Sequence, residues 1–184
     1  MEMKTEVECP PNFSWIIDGV LAALAFPSKQ GHTQYLVDHG VEHLVSLTAE
    51  RTPNPDHLQG LQWTHIPIHD FMPPTLNQII NFVDTVEQAR QRNEAVACHC
   101  AMGHGRAGTM IACYLVKSNP DTFTPEEAIK EIRRLRPKSI ETERQEEMVF
   151  QYAEHLKTDQ PCFSGIGEQQ DIKKRSRSTL HLHK

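Results

Sequence analysis

The segment from Val96 to Val116 constrains this chain more than any other part of it. A short run of small and β-branched residues ends at His99, Cys100 follows, and three glycines occupy positions 103, 105 and 108. An apolar stretch with helical character completes the segment. A strand, a glycine-rich turn and a helix N-terminus point several backbone N–H groups at one small volume, where a dianion can bind. The sequence therefore predicts a phosphate-binding loop that begins at a cysteine.

Cys100 is the candidate nucleophile of this loop, and Arg106 is its candidate partner. Of the five cysteines in the chain, only Cys100 has an arginine six positions later. The loop amides, the helix N-terminus and the guanidinium all favour the thiolate form of the cysteine. A planar guanidinium also binds phosphate oxygens through two parallel hydrogen bonds, which a lysine cannot do. The alternative interpretation of Cys100 is a buried core thiol at a strand end.

The other residues of the loop complete the predicted anion site. Its glycines permit the backbone conformations that turn the amides inward. His99 either braces the loop and polarises the thiol or is an ordinary hydrogen-bonded core histidine. The predicted substrate-binding positions are Ala101, Met102, Gly103, His104, Gly105 and Arg106.

The His99-Cys100 pair, the five residues after it, Arg106 and Gly108 resemble the signature loop of the cysteine-dependent protein tyrosine and dual-specificity phosphatases. These enzymes attack phosphorus with the thiolate and form a phosphocysteine intermediate. The resemblance implies hydrolysis of phosphotyrosine, and of phosphoserine and phosphothreonine, in phosphorylated protein substrates. The alternative that remains open is a pseudophosphatase or adaptor that binds phosphoproteins with little turnover.

An aspartate thirty residues before the cysteine extends the resemblance. Asp70 follows a strand-like stretch and precedes Phe71 and two prolines. Such a loop is stiff and partly apolar, which favours a protonated carboxyl near neutral pH. An ordinary solvent-facing aspartate is the alternative, but the distance and order relative to Cys100 match the family. The resemblance therefore implies that Asp70 is the general acid, and it favours the dual-specificity and classical tyrosine branch over the low-molecular-weight enzymes.

Similarity outside these two loops favours the small atypical dual-specificity enzymes. In relatives, a glutamine near the position of Gln145 positions the hydrolytic water, although a solvent-facing helix residue is the alternative here. One residue departs from the family pattern, because Ala107 stands where a serine or threonine normally follows the arginine. The segments that carry the wider similarity are 11–15, 40–48 and 128–142.

Apolar and polar periods alternate along the chain, and they predict an α/β fold with a central parallel-rich sheet flanked by helices. Thr75 with Gln78, Thr124 with Glu127, and Thr142 with Gln145 are expected to form capping boxes. The predicted strands are 13–22, 42–47, 61–67 and 94–99, and the predicted helices are 29–39, 75–92, 106–118, 124–136 and 142–157.

Composition sets the remaining expectations. The 184 residues predict a flexible N-terminus (1–9), one dual-specificity phosphatase catalytic domain (10–158) and a disordered polar and basic tail (159–184). Scattered histidines predict no metal site, and nothing indicates a cofactor. The net charge of −5 argues against nucleic-acid partners, and no apolar run argues for a membrane partner. We expect a monomer in the cytoplasm, with nuclear entry through Lys173–Arg177 as an open alternative to a merely solvated tail.

Overall fold

A five-stranded sheet lies at the centre of residues 6–159, the part of the chain that this computed structural model describes. The strands lie in the order β1-β2-β5-β3-β4. β1 pairs with β2 in antiparallel fashion, and all other neighbours are parallel. The predicted α/β fold with a parallel-rich sheet is confirmed. The strands are β1 (Ser14–Ile17), β2 (Leu21–Leu24), β3 (Val41–Thr48), β4 (Gln62–Ile68) and β5 (Ala95–His99).

Residues 6–159 also contain five α-helices and one short 3-10 helix (Pro55–His57), and the last three helices follow the final strand. All three expected capping boxes form, because in each case the threonine hydroxyl accepts from the backbone three residues on and the reciprocal side-chain bond is also present. The helices are α1 (Gln30–Asp38), α2 (Leu76–Gln91), α3 (Gly105–Ser118), α4 (Pro125–Leu135) and α5 (Glu143–Thr158).

The prediction of one strand over residues 13–22 is wrong, because the chain reverses within it. Gly19 adopts a φ of +65°, and the Val20 N–H donates to the Ile17 carbonyl at 3.0 Å. A glycine in this conformation allows a tight turn at no steric cost. The segment therefore forms the β1–β2 hairpin, and the apolar residues on both sides of the turn conceal it in the sequence.

The two faces of the sheet carry separate apolar clusters. Helices α2, α3, α4 and α5 pack on one face, where Phe82, Met110, Ile132 and Val149 are fully buried. Helix α1 covers the other face and contributes Leu36 to a smaller cluster. Burial on both faces explains why β2 and β5 are composed of continuous apolar and small residues.

The carboxyl ends of the four parallel strands meet at one edge of the sheet. The loops that follow β3, β4 and β5 therefore lie side by side, in the position where α/β proteins bind ligands.

At the N-terminal end of the described chain, residues 6–9 lie against α1, where Glu8 binds Lys29 at 2.6 Å. The rest of the predicted flexible segments, 1–5 and 160–184, lies outside the described residues. Between residues 6 and 159, no helix has the length and apolarity to span a bilayer.

Candidate active site

The loop between β5 and α3 encloses the Cys100 thiol. The residue is only 3% exposed, and its Sγ accepts a hydrogen bond from the Gly103 N–H at 3.2 Å. Helix α3 begins two residues later, so its N-terminal amides follow directly on the loop. An amide donor and a helix N-terminus both stabilise a thiolate. The strand, turn and helix expected around Cys100 are therefore present.

The three glycines of the loop serve two different purposes. Gly103 has a φ of +76°, and a Cβ there would lie 2.6 Å from the Leu24 carbonyl oxygen. Gly105 and Gly108 have ordinary backbone conformations but no space for a side chain, since a Cβ would overlap the Glu141 carboxylate at the first position and would lie 2.9 Å from Ser139 Cβ at the second. Backbone freedom explains only the first glycine, and close packing against the α4–α5 connection explains the other two.

The Arg106 guanidinium is the point at which three loops meet. It is 1% exposed, and its two terminal nitrogens bind the Glu50 carboxylate at 2.9 and 3.0 Å. Nη1 also donates to the Ile68 carbonyl at 2.9 Å, at the end of β4. The hydrogen bonds from Arg106 hold the pKa of Glu50 at about 2, so this carboxylate stays charged. The guanidinium is thus held in one orientation.

Asp70 lies next to the same guanidinium. Its Oδ1 is 3.0 Å from Arg106 Nη2 and accepts the Phe71 N–H at 3.1 Å. The side chain is 53% exposed, so a bound substrate can reach it. The structure therefore brings Asp70 next to Arg106 and the Cys100 loop. In the sequence, Asp70 precedes Cys100 by 30 residues.

His99 is a fully buried residue that ties the loop to its neighbour strand. Its Nδ1 lies 3.3 Å from the Cys100 carbonyl, which can only accept, so Nδ1 carries the proton. Its Nε2 then accepts from the Ser46 hydroxyl at 2.6 Å, while Ser46 accepts from Trp63 Nε1 at 2.8 Å. His99 is thus a satisfied core histidine that also braces the loop, and polarisation of the thiol remains a prediction.

Stability is expected to depend on the protonation of His99. Burial lowers the pKa of this imidazole from 6.5 to about 4, so the folded protein keeps it neutral where the unfolded chain protonates it. Protons therefore favour the unfolded state between these values, and the free energy of unfolding falls by about 3 kcal/mol as pH decreases from 6.5 to 4. Urea unfolding of the wild type and His99→Asn at both pH values measures this, and equal pH slopes in the two proteins would contradict it.

Gln145 is a buried residue, and the solvent-facing alternative is wrong. Its Oε1 accepts the backbone N–H groups of Glu141 at 2.8 Å and Thr142 at 3.3 Å. Its Nε2 donates to the Met72 carbonyl at 3.4 Å. Gln145 therefore connects the α4–α5 loop to the loop that carries Asp70, and it also borders Gly105.

The remaining loop residues form the rim of the site. Met102 is 64% exposed, and together with the exposed Phe71 and Met72 it gives the rim an apolar character. Ala101 is half-buried and its carbonyl accepts the Phe26 N–H at 3.1 Å. His104 is half-buried at the start of α3.

Three residues at the site have no role in the sequence-based prediction. Arg136 is 3% exposed and donates to the Gly103 carbonyl at 2.9 Å, and Asn12 donates to the Met102 carbonyl at 2.9 Å. The third is Glu50, which binds Arg106. Only Glu50 carries a usable signal, since it follows the β3 strand at the sheet edge where ligands bind. Among residues 6–159, no group of three or more histidine, cysteine, aspartate or glutamate side chains is arranged to hold a metal ion.

The chain is similar to curated phosphatases over most of its described length. It is 28% identical over 165 residues to protein tyrosine phosphatase domain-containing protein 1 of Bos taurus. This alignment covers 78% of this chain and 20% of that protein. It is 29% identical over 147 residues to dual specificity protein phosphatase CDC14A of Homo sapiens. This alignment covers 70% of this chain and 23% of that protein. The chain thus spans about a fifth to a quarter of these relatives.

Solved structures show the same architecture. Tk-PTP in its active form superimposes with a TM-score of 0.70 at 28% identity, over 78% of this chain and 97% of that one. Kinase associated phosphatase, in which a serine replaces the catalytic site cysteine, superimposes with a TM-score of 0.71 at 24% identity, over 82% of this chain and 98% of that one. The second likeness concerns the fold alone.

A family model settles the classification. Residues 10–149 match the family described as "PTP-SAK: Swiss Army Knife protein, DSP-PTPase phosphatase domain". This match includes the Cys100 loop, Asp70 and Gln145. The chain belongs to the DSP-PTPase phosphatase domain family, within the cysteine-phosphatase superfamily.

Proposed function

We propose that this chain is a protein phosphatase that hydrolyses phosphotyrosine, phosphoserine and phosphothreonine monoesters through a phosphocysteine intermediate. One observation carries the proposal: Asp70 lies 3.0 Å from the Arg106 guanidinium that closes the Cys100 loop. A nucleophile, an anion clamp and a carboxyl are thereby gathered around one volume. This is the minimum equipment for transfer of a phosphoryl group to a thiolate.

In the first step, the Cys100 thiolate attacks phosphorus and the bond between phosphorus and the substrate oxygen breaks. Oxygens of the phosphoryl group bind at Arg106 Nη2, which faces Asp70 in the free protein. The loop amides and Arg106 then stabilise the charge of a loose transition state. The dianion beside Asp70 favours its protonated form, and Asp70 gives that proton to the leaving oxygen.

In the second step, water attacks the phosphocysteine and the sulfur–phosphorus bond breaks. Asp70, now ionised, accepts the proton of the water, and Cys100 is returned as a thiolate. Gln145 lies between the Asp70 loop and Gly105, which supports a role in positioning this water. His99 supports the loop from beneath through the Cys100 carbonyl.

Several narrower proposals accompany this mechanism. The catalytic unit spans residues 10–158 and acts as a monomer in the cytoplasm, with nuclear entry open. Within the atypical branch, the chain resembles dual specificity protein phosphatase 23 over roughly residues 10–157. The three variable loop positions, Ala101, Met102 and His104, include no lysine, which favours phosphoproteins over phosphoinositide headgroups.

Release of phosphate from peptides tests the proposal. We expect the wild-type protein to release inorganic phosphate catalytically from a phosphotyrosine peptide and from a phosphoserine peptide of the same sequence. The rates are compared with those of the same peptides alone. An adaptor would bind both peptides and release no phosphate, and that outcome would overturn the proposal.

Ala107 is expected to make the second step slow. In relatives, a hydroxyl at this position donates to the cysteine sulfur and eases its departure from phosphorus. Ala107 has no hydroxyl to donate. The nearby Thr109 hydroxyl donates to the Gly105 carbonyl at 2.8 Å instead. A hydrogen bond to a charged group contributes about 1.5–3 kcal/mol, so breakdown of the intermediate slows by about ten- to a hundredfold. Rapid mixing with an aryl phosphate should show a product burst near one equivalent per site, and Ala107→Thr should raise the steady-state rate.

The matched control for this prediction is Ala112→Thr, which adds a hydroxyl five residues further along α3 and away from the loop. It should leave the steady-state rate per folded molecule unchanged. Absence of a burst, together with an unchanged rate in Ala107→Thr, would show that the second step does not limit turnover.

A further inference from the structure

Arg51 is an exposed cation at the rim of the site that the proposed mechanism does not use. Its guanidinium carbon lies 3.8 Å from the centroid of the Phe26 ring. Within residues 6–159, no carboxylate oxygen lies within 4.0 Å of its nitrogens, whereas Arg106 nearby has two carboxylate partners. The charge of Arg51 is therefore not paired inside the described part of the protein.

The contacts of Phe26 fix Arg51 beside the phosphate loop. The Phe26 N–H donates to the Ala101 carbonyl at 3.1 Å, and its ring meets the His99 ring edge-on with centroids 5.3 Å apart. The backbone of Arg51 is held as well, because its carbonyl accepts the Thr48 hydroxyl at 2.6 Å, at the end of β3. Arg51 thus occupies a defined position on the Ala101 side of the site.

Among residues 6–159, the carboxylates around Arg51 form no ion pair with it, although its charge contributes to the low pKa of Glu50. Glu50 and Asp70 both bind Arg106 at 2.9–3.0 Å, and the other acidic residue of these two loops, Asp56, lies in the 3-10 helix. A stacked guanidinium retains its N–H donors at the ring edge, where they can form paired hydrogen bonds to a carboxylate or phosphate. Stacking also reduces the conformational entropy that the side chain would lose on binding an anion.

We propose that Arg51 binds a second anionic group that flanks the phosphorylated residue in a protein substrate. The group is an acidic side chain or a second phosphate, since both present paired oxygens to a guanidinium. This inference rests on the proposed function and adds the substrate class to it. Arg51 then selects phosphoproteins with acidic or doubly phosphorylated sequences.

Three matched phosphotyrosine peptides test the inference. They carry glutamine, glutamate or phosphoserine at the positions that flank the phosphotyrosine. In the wild type, we expect kcat/KM for dephosphorylation of the tyrosine in the glutamate or phosphoserine peptide to exceed that in the glutamine peptide by about five- to tenfold at low salt. The preference should appear in KM and should shrink at about 0.5 M salt, because screening shortens the range of the interaction. Whichever peptide shows the preference identifies the anion.

Arg51→Met keeps most of the aliphatic length and removes the charge. We expect it to lose the preference and to keep wild-type turnover of an aryl phosphate, which has no second anion. Arg92→Met is the matched control, because Arg92 precedes β5 at the opposite end of the strand from the phosphate loop; it should keep the preference.

Three outcomes separate this inference from the proposed function. Turnover that depends on Cys100 but shows equal preference in the wild type and Arg51→Met would overturn the inference alone. Absence of any preference in the wild type would also overturn it. Absence of Cys100-dependent turnover on every peptide would overturn the proposed function itself.

Discussion

Replacement of Cys100 by serine is expected to abolish turnover while phosphopeptide binding remains measurable. The hydroxyl is a far weaker nucleophile than the thiolate, so kcat should fall to less than about a hundredth of the wild-type value. The Arg106 guanidinium and the loop amides are untouched, and the serine oxygen can still accept from Gly103. Phosphate release and binding of a fluorescent phosphotyrosine peptide measure the two effects separately.

The matched control is Cys9→Ser, which alters an exposed cysteine in the segment against α1. Its turnover should equal that of the wild type. Residual activity of Cys100→Ser above about a hundredth of wild type would eliminate Cys100 as the nucleophile. Measurable peptide binding by the same variant would show that the loop is folded and that the loss is chemical.

Asp70→Asn is expected to lower kcat most for the substrates whose leaving oxygen is most basic. A phosphotyrosine peptide needs a proton on that oxygen, and general acid catalysis contributes about a hundredfold or more. An activated aryl phosphate releases a stable phenolate and should lose much less. Asparagine can keep the contacts of Asp70 with the Phe71 amide, so the loop geometry should persist. Steady-state kcat on the two substrates gives the ratio.

Asp56→Asn provides the comparison, since Asp56 is an exposed residue of the 3-10 helix away from Arg106. It should reduce neither rate. Equal losses on both substrates in Asp70→Asn would show that Asp70 positions the substrate or Arg106 but is not the proton donor. The distinction matters because Asp70 forms an ion pair with Arg106 in the free protein, and removal of a charge there changes binding as well as proton transfer.

The role of Arg106 explains why these two loops depend on each other. The guanidinium is buried, and an unpaired buried cation is costly, so Glu50 and Asp70 stabilise it before substrate arrives. A phosphoryl dianion that binds Arg106 can replace part of the stabilisation by these carboxylates, so the guanidinium is never left without an anionic partner. In the free protein, two carboxylates at the entrance of the site therefore keep the Arg106 guanidinium in position.

Local sequence determined the elements whose hydrogen bonds close within a few residues. The capping box at Thr75 needs only the residue three positions later, and Cys100 and Arg106 lie on one loop because five residues separate them. Gly103 is required by its own φ of +76°. Such features depend on covalent neighbours, and for this reason the fold class and the Cys100 loop could be predicted before any contact was known.

Only the tertiary structure decided the contacts between distant segments. Glu50 meets Arg106 across 56 positions, because β3 and β5 are neighbouring parallel strands whose following loops lie at one edge. Arg136 meets Gly103 across 33 positions, because α4 packs against α3 and places the residue after it beside the loop. The burial of Gln145 likewise depends on the segments that pack around it, which hydrophobic periodicity does not show. Strand order is a property of the whole packed core, so the candidate nucleophile could be found in the sequence, but the groups that hold and surround Arg106 could not.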